Sequence, residues 1–174
     1  MASELGVQTI QHTNGTDALT IDASGNVALS QVGTGDFYRE GTWTPVLGGS
    51  TSESGQAYSR QVGNYVRIGN LVFVQFDIIM TTKGTISGDA VIKGLPFQAH
   101  ATDFKGRSGG SISYWNSLGN TYVYVAPRPE QGQNYAIVHT ADSATASIAT
   151  IAGSTVWNNG SHIMGMMTYI TDDA

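Results

Sequence analysis

Three short segments carry side chains suited to holding a sugar, whose flat apolar faces stack on aromatic rings and whose hydroxyls pair with amides. In the first, Tyr114-Trp115-Asn116 stands across a Gly119-Asn120 turn from Tyr122 and Tyr124. The second is Trp157-Asn158-Asn159-Gly160, an indole and two amides in a turn leading to His162. The third is the polar loop Gln131-Gly132-Gln133-Asn134-Tyr135, which follows Pro127 and Pro129. Aromatic side chains suit such contacts because they bring a large area with only two torsions to immobilise. Arg107, in a Gly-Ser loop, is placed to meet an acidic sugar or a phosphate. Each segment has a plainer reading. Tyr and Trp fill pleated surfaces, cross-strand aromatic pairs add roughly 0.2–1 kcal/mol, and both residues are enriched in subunit interfaces. For Tyr122 and Tyr124 the packing reading is preferred. Trp43, inside Gly-Thr-Trp-Thr-Pro, is expected in the core.

Catalytic signals are thin. Glycoside hydrolysis takes two carboxylates at a set separation; Asp36 with Glu40, or Asp103 beside aromatic residues, are the nearest offers among 13 acidic residues. No Gly-x-Ser-x-Gly elbow and no phosphate-binding glycine loop is present. His12, His100, His139 and His162 lack the spacing of a metal site. Only an axial His12 or His162, repeated in an oligomer, would offer three nitrogens. The chain is therefore read as non-enzymatic, with no cofactor and no metal.

The elements that must carry these residues are strands. Apolar residues alternate, and Gly or Asn interrupts them about every ten positions. Tyr65–Ile68, Gly69-Asn70 and Leu71–Ile78 form the clearest hairpin, with Gly69 free to take the positive φ of the first turn position. Val72, Val74, Phe76 and Ile78 then share a core face, while Leu71, Phe73, Gln75 and Asp77 make a mixed face that something else partly covers. A second hairpin joins Leu19–Ile21 to Val27–Leu29. A third is expected to join Ser111–Trp115 to Thr121–Val125, with Val123 and Val125 inward. Further strands are predicted at 41–46, 89–93, 134–140, 144–151 and 161–171; Pro96 ends the 89–93 strand. Eight or nine such strands point to an antiparallel β-sandwich or jelly roll.

Composition sharpens the picture. The chain has 174 residues, 22 of them glycine, only 12% charged residues, and no cysteine. A formal charge of −5 and the lack of any basic run argue against nucleic acid and anionic membrane as partners. No apolar stretch approaches the ~20 residues of a membrane helix. Residues 1–36 are short, polar and repeat-like, so they read as a β stalk with a hinge at Gly33–Asp36. Residues 37–174 read as a globular head. One thin hairpin cannot bury a core alone, so the stalk is expected to be intertwined with other copies.

Two sets of residues carry a family resemblance. Asp17–Val27, reading ALTIDASGNV after the first Asp, resembles an element found along trimeric bacteriophage tail fibres. Gly41-Thr42-Trp43-Thr44-Pro45, then Tyr65-Val66-Arg67-Ile68-Gly69-Asn70-Leu71-Val72, then Gly94-Leu95-Pro96-Phe97, resembles in order and spacing a head module of tail fibres and tailspikes. The closing 161–171 strand resembles that module's last strand, but with Met164, Met166 and Met167 where polar or aromatic residues are commoner. The resemblance implies a homotrimeric tip on the virion. It would join the rest of the fibre through the stalk and contact the bacterial surface; with the aromatic and amide segments and the thin catalytic signals, the expected role is attachment to a surface polysaccharide (capsule or lipopolysaccharide) without cleaving it. A purely structural trimerisation module is the alternative, and a depolymerising enzyme a more distant one. The resemblance supplies no ligand residues; Tyr114, Trp115, Asn116, Trp157, Asn158, Asn159, Asn134, Tyr135 and Arg107 are nominated from their own chemistry.

Overall fold

A computed structural model describes residues 6–11, 13, 15, 17–25, 27–29, 37–143 and 148–172. The chain divides into two compact units, one running to Phe37 and the other starting at Tyr38. His12 and the Gly33–Asp36 hinge lie outside the described residues, so neither expectation about them meets the structure.

In the first unit β1 (Thr9–Gln11), β2 (Asp17–Ile21) and β3 (Val27–Leu29) form an antiparallel sheet in that order. The β2–β3 hairpin is the one read from the sequence, and β1 is an addition to it. Its turn is self-contained: Asp22 accepts the Ser24 N–H at 2.8 Å and the Gly25 N–H at 2.9 Å, and Gly25 has φ 80°. Val7 and Ile10 are exposed, as expected where a three-stranded sheet has no second layer among the described residues of its own unit.

The second unit contains β4 (Tyr38–Trp43), β5 (Val46–Gly49), β6 (Ser52–Ser54), β7 (Ala57–Ile68), β8 (Leu71–Thr82), β9 (Thr85–Ser87) and β10 (Ala90–Lys93). Then follow β11 (Gly110–Asn116), β12 (Tyr124–Pro129), β13 (Tyr135–Ala141), β14 (Ala149–Thr150), a single helical turn α1 (Gly153–Val156) and β15 (His162–Ile170). Strands β11-β15-β8-β7-β4 make a front sheet, and β12-β13-β10-β5, with β14 beside β13, make a back sheet. A small β6-β9 ribbon completes the unit. Both sheets bury side chains in one core, so the sandwich expected from the sequence is the architecture observed.

The front sheet is built on the predicted hairpin, lengthened to twelve residues in each arm. Gly69 takes φ 59° at the turn. Val72, Val74, Phe76 and Ile78 are buried as the alternation required. One inward row crosses all five strands, in the register Trp43, Gly63, Phe76, Gly165, Ile112. Large and small residues alternate along it because the rings need the space. A Cβ on Gly63 would overlap the Trp43 indole, and one on Gly165 would stand 2.9 Å from the Phe76 ring. Trp43 and Phe76 meet edge to face at 6.3 Å, and the Trp43 N–H donates to Gln75 O.

At the hairpin end, Phe97 lies under two guanidinium groups, with Arg67 at 5.0 Å and Arg39 at 5.4 Å from its ring centre. Tyr65 meets the same ring edge-on at 5.3 Å. Arg67 is buried, and its Nε donates to Gly69 O at 2.6 Å. The Tyr169 hydroxyl donates to Phe97 O at 3.0 Å. The tail-fibre-like motifs thus meet one another inside the second unit, and their side chains are spent on packing.

Two expectations need correction. The Ser111–Trp115 and Thr121–Val125 segments do not form a hairpin: β11 is an edge of the front sheet and β12 an edge of the back sheet. The connection crosses the sandwich because it is pinned on the end of α1 and the segment after it. Gly119 N–H donates to Val156 O at 2.8 Å, and Ser117, with φ 54°, accepts the Ser161 hydroxyl. Because residues 121–123 are not strand, alternation fails there. Tyr122 is buried and Val123 is 60% exposed, the reverse of the expectation. Of the expected 144–151 strand, residues 144–147 lie outside the described residues, and Ala149–Thr150 is strand.

Two outcomes follow. Gly63→Ala should destabilise the fold by about 1–3 kcal/mol, the range for overpacking a close-packed interior, read as a lowered urea midpoint. Burial pushes Tyr58 up to about 12, its hydroxyl donating to Leu47 O at 2.9 Å. Below pH 10 both folded and unfolded states keep that proton, so its contribution is whole; above pH 10 the unfolded state ionises first and stability falls up to about pH 12. Urea titrations from pH 9 to 12 should show a shallower loss in Tyr58→Phe than in the parent.

Candidate functional site

The exposed face of the front sheet collects the side chains that alternate with the core. Reading across strands, Val62, Asp77 and Met164 form one row, and Asn64, Gln75 and Met166 the next. Between them and β11 lies a groove of about 390 Å³, lined also by Arg60, Ser111 and Ser113. Among the described residues, Asp77 is the only carboxylate on its walls. It is engaged twice: Arg60 Nε lies 2.6 Å from Oδ2, and His162 Nε2 lies 2.9 Å from Oδ1. Since a carboxylate only accepts, the His162 Nε2 carries the shared proton. The Tyr114 ring stands edge-on to the His162 imidazole at 4.9 Å. The groove therefore offers a guanidinium, two amides and two hydroxyls beside methionine and valine side chains, with a half-exposed tyrosine next to it.

A β-bulge puts that tyrosine there. Ile112 pairs with Gly165 and Tyr114 with Met164, leaving Ser113 as an extra residue in β11. Strict alternation would send Tyr114 to the core. The inserted residue turns Tyr114 onto the exposed face and sends Trp115 inward, opposite the buried Ile163 and against the core. Asn116 is exposed, its amide oxygen taking the Ser117 N–H.

The remaining nominated residues are distributed differently. Trp115 and Tyr124 come together after all, on the walls of a cleft of about 230 Å³ between edge strands β11 and β12. Tyr122 joins neither depression; burial, then Asp142, raises its pKa. Trp157 is fully buried, with its indole N–H donating to Gly48 O at 2.9 Å, so no ring face is left for a sugar. Apolar volume outweighed the turn chemistry around it. Asn158 and Asn159 are exposed but committed locally: Asn158 accepts the Asn159 N–H, and Asn159 accepts the Lys83 N–H. Arg107 does meet the third loop, through Glu130: Arg107 Nη2 lies 2.7 Å from Oε1, and Arg128 Nη2 2.9 Å from Oε2. Its charge is matched within the chain. The Gln131 amide donates to Ala101 O, Tyr135 is half-buried, and Asn134 O takes the N–H groups of Gly94 and Leu95.

Arg60, Asn64, Asp77, Met164 and Met166 were not nominated from the sequence. The signal was the mixed face of β8, where Gln75 and Asp77 alternate with core residues. Among the described residues no cluster of three His, Asp or Glu is placed to hold a metal ion, and no helix is long and apolar enough to cross a membrane.

Two antiparallel sheets around one core, with an open front face, define the class as an all-β sandwich. Neither a protein-family model nor a curated relative matches the sequence. Among solved structures, the fold is similar to part of the chain in the crystal structure of Dettilon tailspike protein (gp208), with a TM-score of 0.54 at 16% identity. The match covers 76% of this chain and 24% of that one, so the likeness is to about a quarter of the tailspike's length.

The bulge separates two neighbouring aromatics into different jobs, and mutation should show it. Trp115→Ala should cost about 2 kcal/mol of stability, as truncation of a ring packed on a core does. Tyr114→Ala should stay within about 0.5 kcal/mol. Thermal melts of the two variants compare them directly.

Proposed function

We propose that this chain is part of a bacteriophage tail fibre or tailspike. In this reading its head binds a bacterial surface polysaccharide in the front-sheet groove, without cleaving it, as a homotrimer. The observation that carries the reading is the groove itself, which combines donors, acceptors, apolar side chains and a neighbouring tyrosine on an open sheet face. The sandwich's likeness to part of a tailspike protein and the tail-fibre-like motifs support the setting. The non-catalytic role is supported by the groove's single carboxylate, already paired with Arg60 and His162; hydrolysis by the usual route takes two. Shallow sites of this kind bind weakly, and repetition on three chains raises the effective affinity.

The cleft between Trp115 and Tyr124 is the second place for a glycan. It is favoured by the pairing of an indole with a phenol ring, and a variant in each site tells them apart.

Binding of the purified protein to host capsule or lipopolysaccharide should fall about tenfold or more in Tyr114→Ala and in Asn64→Ala, the loss typical of a contact worth about 1.4 kcal/mol. Unchanged binding in both, with a loss in Tyr124→Ala, would move the site to the cleft. No binding by the parent to any host surface glycan would leave the purely structural role. Shortening of the polysaccharide on incubation would overturn the non-catalytic reading.

A further inference from the structure

Phe104 is the most exposed large apolar residue described, at 81%. It sits in the short turn Asp103–Gly106, yet the loop that presents it is tied down on every side. His100 Nε2 lies 2.8 Å from Asp172 Oδ1, and the Ala101 N–H donates to Asp172 Oδ2 at 2.7 Å. Arg107 is paired with Glu130, its N–H donates to Phe104 O, and the Ser108 hydroxyl donates to Thr168 O. A ring held out on a braced loop has little freedom left to lose on binding, which is what a contact anchor requires.

The same chain carries a matching hole. Phe73, Met166, Thr168, Gly109 and Gly110 line an apolar groove of about 370 Å³ on the front sheet. Benzene is held in protein cavities of about 150 Å³, so a phenylalanine ring fits with room to spare. Phe104 does not fill the groove of its own chain, since its ring stands in solvent. Charge agrees as well. Lys105, beside Phe104, takes part in none of the ion pairs found among the described residues. Glu40 lies in the same cross-strand row as Phe73, through Val66, with its carboxylate bonded to the Tyr38 hydroxyl.

We infer that the partner at this groove is a second copy of this chain, with Phe104 of one head inserted between Phe73 and Met166 of the next and Lys105 directed to Glu40. A contact between two different patches of the same molecule closes into a ring or runs on as a filament. Here the two patches adjoin, because Thr168 both lines the groove and anchors the loop, and that closeness suits a ring of few members. The inference rests on the homotrimer proposed above.

The absence of cysteine makes the test clean. Lys105→Cys and Glu40→Cys chains, differently tagged and both keeping Phe104, are co-expressed and oxidised, and light scattering gives the mass of the parent and of Phe104→Ala at micromolar concentration. The expected result is a disulfide-linked pair carrying both tags, a parent mass near three times 18.4 kDa, and a shift of Phe104→Ala toward the monomer. A parent trimer with no cross-link and no change in Phe104→Ala would overturn the contact and leave the trimer standing. A monomeric parent would overturn both. Circular dichroism of Phe104→Ala, whose side chain is outside the core, verifies that any loss of mass is not unfolding.

Discussion

The second unit depends on one row of alternating sizes. Trp43, Phe76 and Ile112 are bulky, Gly63 and Gly165 are bare, and together they cross the front sheet from edge to edge. The rings lie over the glycines, which lets five strands keep their spacing while the core between the sheets stays filled. The back sheet is then held at its distance by contacts that reach across. Trp157 ties the segment after α1 to β5, and Tyr58 ties β7 to the same strand. With the inner face fully committed, contact with other molecules falls to outer features such as the exposed face of the front sheet, the cleft at its edge and the Phe104 loop.

This explains what the sequence revealed and what it hid. The long hairpin was legible because a period of two, a Gly-Asn turn and a run of β-branched residues all agree over twelve positions. The inward place of Trp43 was legible for a similar reason, as a ring at the end of a short strand closed by proline. The tail-fibre-like motifs were legible as order and spacing. The structure adds that Tyr65, Arg67, Phe97 and Tyr169 meet one another, so their recurrence together has a packing cause.

The site was harder. Its walls come from β7, β8, β11 and β15, brought together only by long-range pairing, and no local pattern joins Arg60 to Asp77 and His162. Sequence reading favoured aromatic residues near amides, which is sound chemistry with no knowledge of direction. Trp157 satisfies that pattern and is buried, because a large indole beside Val156 contributes more inside than out. The expected third hairpin failed because two strands close in sequence can belong to opposite sheets when their connection is pinned elsewhere, here on residues 155–161.

Ser113 has a consequence of its own. In a chain whose side chains alternate, one added residue turns everything beyond it to the other side unless a bulge absorbs it. Ser113 is absorbed in this way: it faces no residue of β15, so its loss would close the bulge and leave the phenol of Tyr114 outward, opposite Met164, and the indole of Trp115 inward, opposite Ile163. Only a slip of one position along β15 would exchange the two rings. The aromatic surface of this sheet is therefore set by how its edge strand is paired, while the frame beneath it stays the same.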